Sequence, residues 1–301
     1  MNSFLLLIVL ASATTSAFAC GKQTIPTGVV TKYTMLRPEG AREYLVYVPK
    51  SYTNNSPLPL VFAFHGMGDN AKDFLSETGM VAQADNNSFI LVAPQGINSG
   101  EIFGNVFNAG TCCFFDPLVT APDDVAFTRA IVANVTAGVC VNTQRIYTLG
   151  FSNGAMMSET LACQASDIFR AAASVAGVVE LKPGNAPGIA ACDASYANGK
   201  NGNAGVMNVH GLIDLVVPWG GDALLGFPPI PDSMAAWAKR AGCTSGPTTG
   251  WTRGTFSNQV WAGCQGNRTI ELVQSELGGH EWPQTSDFDA TAYSIQFLFR
   301  N

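Results

Sequence analysis

RIYTLGFSNGAMMSE, residues 145–159, changes period at its middle: an apolar strand pattern as far as Leu149, then a small-residue helix pattern from Ala155. The join is Gly150-Phe151-Ser152-Asn153-Gly154, a G-x-S-x-G. Glycines on both sides of the serine let the chain turn sharply from strand to helix, and a residue at such a turn projects its side chain into open space. With 31 glycines in 301 residues, the pattern alone has little specificity. Its weight comes from what surrounds it.

Short apolar runs bounded by Gly or Pro predict strands at 42–48, 58–64, 89–93, 145–149, 171–175, 206–209 and 269–274. Strands buried on both faces of a parallel sheet have this composition. Helical patterns at 123–139, 154–165, 233–241 and 288–299 alternate with them, so the expected class is α/β, a mostly parallel central sheet with helices on both faces. Ligands bind such sheets at the carboxyl ends of the strands. At those ends the chain places His65-Gly66-Met67-Gly68-Asp69, the Ser152 turn, His210-Gly211-Leu212-Ile213-Asp214 and Gly278-Gly279-His280-Glu281-Trp282-Pro283.

A serine hydroxyl is a poor nucleophile until a base removes its proton, and an imidazole does so when a carboxylate fixes its tautomer. Ser152, Asp214 and His280 follow three strand ends in the order nucleophile, acid, base that folds with a strand-to-helix nucleophile turn keep. They are the expected catalytic residues. Activity then requires a neutral imidazole and rises across roughly pH 5 to 8. The oxyanion formed in acyl transfer needs preset N–H donors, and the expected pair is the amides of Asn153 and Met67. His65 and His210, each before a glycine at a strand end, are expected to support the site loops. Asp123 and Asp124 follow Pro122 at a helix start and are expected to cap it. Asp193, the other candidate acid, follows no clear strand. Trp219 and Trp282 lie just past the acid and the base and are candidate substrate-binding aromatics, and the apolar stretch 224–231 is a candidate pocket wall.

Residues 1–19 carry no charged side chain, contain the run Phe4-Leu5-Leu6-Leu7-Ile8-Val9-Leu10 and finish in Ala17-Phe18-Ala19, which predicts a secretory signal peptide. That run is far short of the ~20 residues of a membrane span, and no second apolar segment is long enough. Residues 20–301 then form a single catalytic domain, without an internal linker or repeat. Sixteen basic against 22 acidic residues give a net charge of −6 with no basic cluster, which excludes nucleic acid as a partner. Eight cysteines and no C-x-x-C favour disulfides over a metal site in an oxidising compartment. Cys243 and Cys264 bracket a polar stretch between the 233–241 helix and the last strand. A bridge there contributes about 3 kcal/mol by chain entropy and holds the strand leading to His280. The other pairings stay open; one arrangement joins Cys163 to Cys192 and shares Cys112 and Cys113 between Cys20 and Cys140. Sequons at Asn54, Asn86, Asn134 and Asn267 suit a glycosylated secreted protein.

Phe107-Asn108-Ala109-Gly110-Thr111-Cys112-Cys113, then Asp123-Asp124-Val125-Ala126-Phe127, GFSNGAMM, His210-Gly211 with Asp214 and Val217-Pro218, and GGHEWP together resemble secreted esterases of the polyhydroxybutyrate depolymerase and feruloyl esterase group, the first carbohydrate esterase family of the α/β-hydrolase superfamily. The likeness runs from about Tyr44 onward. It implies an α/β-hydrolase fold, a Ser152-Asp214-His280 triad, and cleavage of carboxylic esters without metal or organic cofactor. The implied substrate is a feruloyl or acetyl ester on plant cell-wall polysaccharide such as xylan, with an aliphatic polyester as alternative. A non-catalytic secreted binding protein on the same fold is the alternative of a different class. Gln284 stands where relatives usually have Gly, a departure that bears on the substrate. An extracellular monomer is the expected form.

Overall fold

The computed structural model describes Cys20, residues 23–110, Cys112, Cys113, residues 121–179, Cys192 and residues 203–301. The expected signal peptide at 1–19 and Asp193 lie outside the described residues. The first half of the chain forms β1 (Val30–Arg37), β2 (Gly40–Tyr47), β3 (Leu58–Phe64), α1 (Ala71–Glu77), α2 (Met80–Asn87), β4 (Ile90–Pro94), β5 (Ile97–Asn98), β6 (Asn105–Val106) and α3 (Asp124–Gly138). The second half adds β7 (Val141–Phe151), α4 (Asn153–Gln164), β8 (Ala171–Val175), β9 (Gly205–Gly211), α5 (Ile230–Arg240), β10 (Ser245–Arg253), β11 (Phe256–Ala262), β12 (Ile270–Ser275) and α6 (Ala290–Arg300).

Ten strands form one sheet in the order β1-β2-β4-β3-β7-β8-β9-β12-β11-β10. The central strands from β4 to β12 pair in parallel, and the two strands at each edge pair antiparallel. Composition explains the division. Every residue of β4, β8 and β9 is buried, so both of their faces must be covered, whereas β10 is almost wholly exposed. Alternation sorts the layers: Phe62 and Phe64 of β3 join Phe127 and Ile131 of α3, Met156 and Leu161 of α4 and Trp237 of α5. Their neighbours Val61 and Ala63 face the other way, towards Phe74 of α1, Met80 of α2 and Leu298 of α6. Each large side chain so buried contributes roughly 1.5–3 kcal/mol. No helix among the described residues is long and apolar enough to cross a membrane.

The structure corrects several expectations. Residues 244–263, expected as a polar loop, hold the β10–β11 hairpin, which extends the sheet beyond β12. Its Gly and Pro residues and its exposure hide the alternation that marks an inner strand. The Cys243–Cys264 bridge sits at the base of that hairpin, where the Thr244 amide donates to the Ala262 carbonyl at 3.1 Å. Cys163 joins Cys192, but Cys20 pairs with Cys140 and Cys112 with its neighbour Cys113. The physical reason lies in the amino-terminal stretch, which runs beside the end of α3 (Thr24 amide to Gly138 carbonyl, 2.9 Å) and so delivers Cys20 to Cys140. Strand β1, the β5–β6 hairpin, α1 and α2 were absent from the expected elements. Each is short or lies at an edge, where exposure weakens periodicity.

Candidate active site

Four of the central strands deliver the predicted constellations to one rim. β7 ends at Phe151, and Ser152 follows with φ 52° and ψ −119°, a left-handed backbone that a non-glycine residue adopts only when its surroundings impose it. They do so by contact. A Cβ on Gly150 would lie 2.3 Å from the Gly154 carbonyl oxygen, and one on Gly154 would lie 2.2 Å from that of Phe64 in β3. The elbow is therefore pressed onto two strands with no room for a side chain, and the Ser152 amide is tied to the Val175 carbonyl at 2.9 Å.

Ser152 Oγ lies 2.9 Å from His280 Nε2, and His280 Nδ1 lies 2.8 Å from Asp214 Oδ2. The consistent tautomer has Nδ1–H donating to the carboxylate, which leaves the Nε2 lone pair facing the serine hydroxyl. Asp214 Oδ1 accepts from the amides of Val216 (2.8 Å) and Val217 (2.9 Å). Burial pushes this carboxyl up, but the hydrogen bond from His280 and the two amides outweigh burial and hold it below the usual carboxylate range. Asp214 is thus ionised where it meets the imidazole.

His210 and His65 each brace a loop. His210 Nε2–H donates to the Val217 carbonyl (2.8 Å), closing the Asp214 turn. His65 Nδ1–H donates to the Gly66 carbonyl (2.7 Å), while its Nε2 accepts from the Gly96 amide (3.0 Å). Burial pushes both imidazoles below the ordinary histidine range, so both are neutral at pH 7. The amides of Met67 and Asn153 donate to no acceptor among the described residues and border the serine, with Met67 itself in the cavity lining.

A cavity of about 680 Å³ opens over Ser152 and His280. Gly66, Met67, Asp69, Glu77, Val216 and Gln284 line it beside an aromatic wall of Phe74, Phe151 and Trp282. The Trp282 indole meets Phe74 edge to face at 5.4 Å, and its Nε1–H donates to Thr291 Oγ1 at 2.9 Å. Trp219 does not line this cavity: its indole packs edge to face on His210 at 6.2 Å, behind the acid loop. Nor do residues 224–231 form a wall, because a turn closed by Asp222 and Phe227 holds Leu224 in solvent. A second cavity of about 670 Å³ lies across α1, lined by Lys32, Glu43, Asn70, Lys72 and Gln95 among others, with no imidazole to activate a hydroxyl.

Asp123 caps α3 through the Ala126 amide (2.8 Å), but Asp124 does not share that task. It is buried against Arg42 Nη2 at 2.6 Å and accepts the Asn108 amide at 2.7 Å, a pairing across 82 residues that no local pattern signals. Glu159, which ends the opening stretch, is fully buried beneath the elbow and accepts from Asn208 Nδ2 (3.1 Å) and Trp237 Nε1 (3.0 Å). Burial pushes its carboxyl up, against the pull of those hydrogen bonds.

The prolyl oligopeptidase family matches residues 119–183, which contain the elbow. The chain is 28% identical over 296 residues to a probable feruloyl esterase C of Aspergillus terreus, covering 93% of this chain and 91% of that one. It is also 28% identical over 250 residues to feruloyl esterase B of Piromyces equi; that alignment takes 79% of this chain and spans 42% of the relative. Among solved structures, an acetyl xylan esterase from Aspergillus awamori superposes with a TM-score of 0.66 at 14% identity, over 90% of this chain and all of that one. The fold is that of the α/β-hydrolases, and in sequence the chain is similar to feruloyl esterases.

Proposed function

We propose that this protein is a secreted serine esterase that releases feruloyl or acetyl groups from xylan through an acyl-enzyme on Ser152. The continuous relay from Ser152 Oγ to His280 to Asp214 carries the reading. His280 Nε2 takes the hydroxyl proton as Oγ attacks the ester carbonyl. The carbonyl oxygen becomes an oxyanion facing the amides of Met67 and Asn153. Collapse expels the sugar alcohol, which takes its proton from His280. Water, deprotonated by the same nitrogen, then attacks the acyl carbonyl and frees the acid and Ser152. The Asp214 carboxylate steadies the imidazolium at both steps.

The acyl group is chosen by the cavity wall. Phe74, Phe151 and Trp282 present ring edges and faces suited to a flat aromatic acid, and the sequence relatives named above are feruloyl esterase B of Piromyces equi and the probable feruloyl esterase C of Aspergillus terreus. Secretion is supported by four disulfides and by the pattern of residues 1–19. The test compares methyl ferulate, acetylated xylan and a polyester film with the parent and with Ser152→Ala. The variant is expected to fold and to lose at least ~10⁴-fold in kcat. More than a few per cent of the parent's activity in the folded variant excludes Ser152 as nucleophile, and turnover of the film alone excludes the xylan ester.

A further inference from the structure

We propose that Asn105 and Asn153 are positioning residues that set the spacing of the two oxyanion amides, with the extended chain at 105–107 as the bracket between them. The proposal rests on the serine-esterase reading above. The two donors sit on segments far apart in sequence, one after β3 and one at the start of α4, and each is bound to the same short length of chain. The Gly68 amide donates to the Asn105 carbonyl (2.9 Å), and Asn105 Nδ2 returns a bond to the Asp69 carbonyl (2.8 Å). That pair anchors the chain immediately after Met67. Two residues beyond Asn105, the Phe107 amide donates to Asn153 Oδ1 (2.7 Å), and Asn153 Nδ2 donates back to the Phe107 carbonyl (3.0 Å). The Asn153 side chain thus completes, with backbone atoms, the reciprocal pair that a neighbouring strand residue would make.

The bracket is stiff. β6 pairs with β5 through Ile97↔Val106 and Asn98↔Asn105, and the Gly96 amide just before β5 is held by His65. A Cβ on Gly104 would approach Gly68 Cα to 3.0 Å, so this chain is packed against the oxyanion loop as well as hydrogen-bonded to it. Neither asparagine lines the cavity, so both act through the backbone they hold. The consequence is chemical: an amide stabilises an oxyanion only at about 2.7–3.1 Å, and two amides serve one oxygen only if their separation is set in advance.

The test uses Asn105→Ala, Asn153→Ala and Asn153→Asp, with native folding checked by near-ultraviolet circular dichroism. Steady-state kinetics on methyl ferulate are read beside inhibition by phenylboronic acid, whose tetrahedral adduct on a serine places an oxygen at the oxyanion position. Each alanine variant is expected to lose about 10- to 100-fold in kcat with KM within about threefold, since a displaced donor costs less than the 10²–10³ of a deleted one. Boronate affinity should fall by the factor lost in kcat/KM. Asn153→Asp keeps the acceptor for the Phe107 amide and should recover part of the loss. A folded Asn105→Ala enzyme with kcat within twofold of the parent overturns the proposal, as does a kcat loss with boronate affinity unchanged. Asn105 is partly exposed, so its variant decides the matter if Asn153→Ala does not fold. Ser152→Ala runs alongside: activity retained there sinks the esterase reading itself, whereas its loss with unaltered asparagine variants sinks only the bracket.

Discussion

The Ser152 elbow and the Asp214 loop each present one member of the hydrogen-bonded chain through His280, and they are built by different forces. The elbow is shaped by exclusion. Gly150, Gly154 and Gly177 all stand where a Cβ would come within 2.4 Å of another atom, and the Ser152 side chain makes no capping bond. The Asp214 loop has one such close approach, at Gly211 against the Gly278 carbonyl where β9 ends, but beyond it is shaped by polar pairing: both Asp214 oxygens are occupied, and His210 ties the loop to the Val217 carbonyl. Steric walls are short-ranged and steep, so they fix a strained backbone but admit no added atom. Hydrogen bonds tolerate bulk nearby and fail when one partner changes charge or chemistry.

That contrast predicts which changes each region survives. Beyond loss of the Ser152 hydroxyl itself, the largest effect is expected in the Asp214 loop from a change that adds no volume. Asp214→Asn leaves shape intact but presents an amide to His280 Nδ1, which favours the wrong tautomer, so kcat should fall by up to ~10⁴ with little change in melting temperature. A loss below tenfold would point to another carboxylate. At the elbow, a single methyl group should act on folding instead. Gly154→Ala places Cβ against the backbone of β3, 2.2 Å from the Phe64 oxygen and 2.4 Å from that of His65, and should destabilise by about 3 kcal/mol or more in urea denaturation. A variant of parental stability would show that the elbow relaxes, and the contrast between the regions would collapse.

The smallest effect concerns acid. Burial lowers the pKa of His65, beside the Met67 loop, and of His210, beside Asp214. The unfolded chain takes up protons at these positions near pH 6.5 and the folded chain does so only at lower pH. Stability from the neutral rings is therefore complete above about pH 6.5 and is lost as pH falls towards the folded values. Calorimetry should give a lower Tm at pH 5 than at pH 7.5, by roughly 2–4 °C for each kcal/mol lost. His65→Gln and His210→Gln should each flatten that dependence, and the variant that flattens it more identifies the region that loosens first. A profile unaltered by both removes the histidines from the account.

Much of this was legible in one dimension. The central strands announce themselves because burial on both faces demands unbroken apolar runs, and the glycine-flanked serine, Asp214 and His280 follow strand ends in a chain order that few arrangements share. Strand β1, the β10–β11 hairpin and the short helices α1 and α2 were not legible, since edge elements bury too little to carry a period. Trp219 and Trp282 look alike in sequence, each a few residues past a relay member, yet one packs behind the acid loop and the other lines the cavity.

The sequence by itself determined the α/β class, the inner strands and the placing of Ser152, Asp214 and His280 after strand ends, because hydrophobic period and strand-end chemistry are local properties of the chain. Tertiary structure alone decided the partners: Arg42 with Asp124, Cys20 with Cys140, Asn153 with Phe107, and which tryptophan lines the cavity over Ser152. Those pairings depend on how distant segments are stacked, and stacking is set by the whole sheet's packing, which no window of sequence contains.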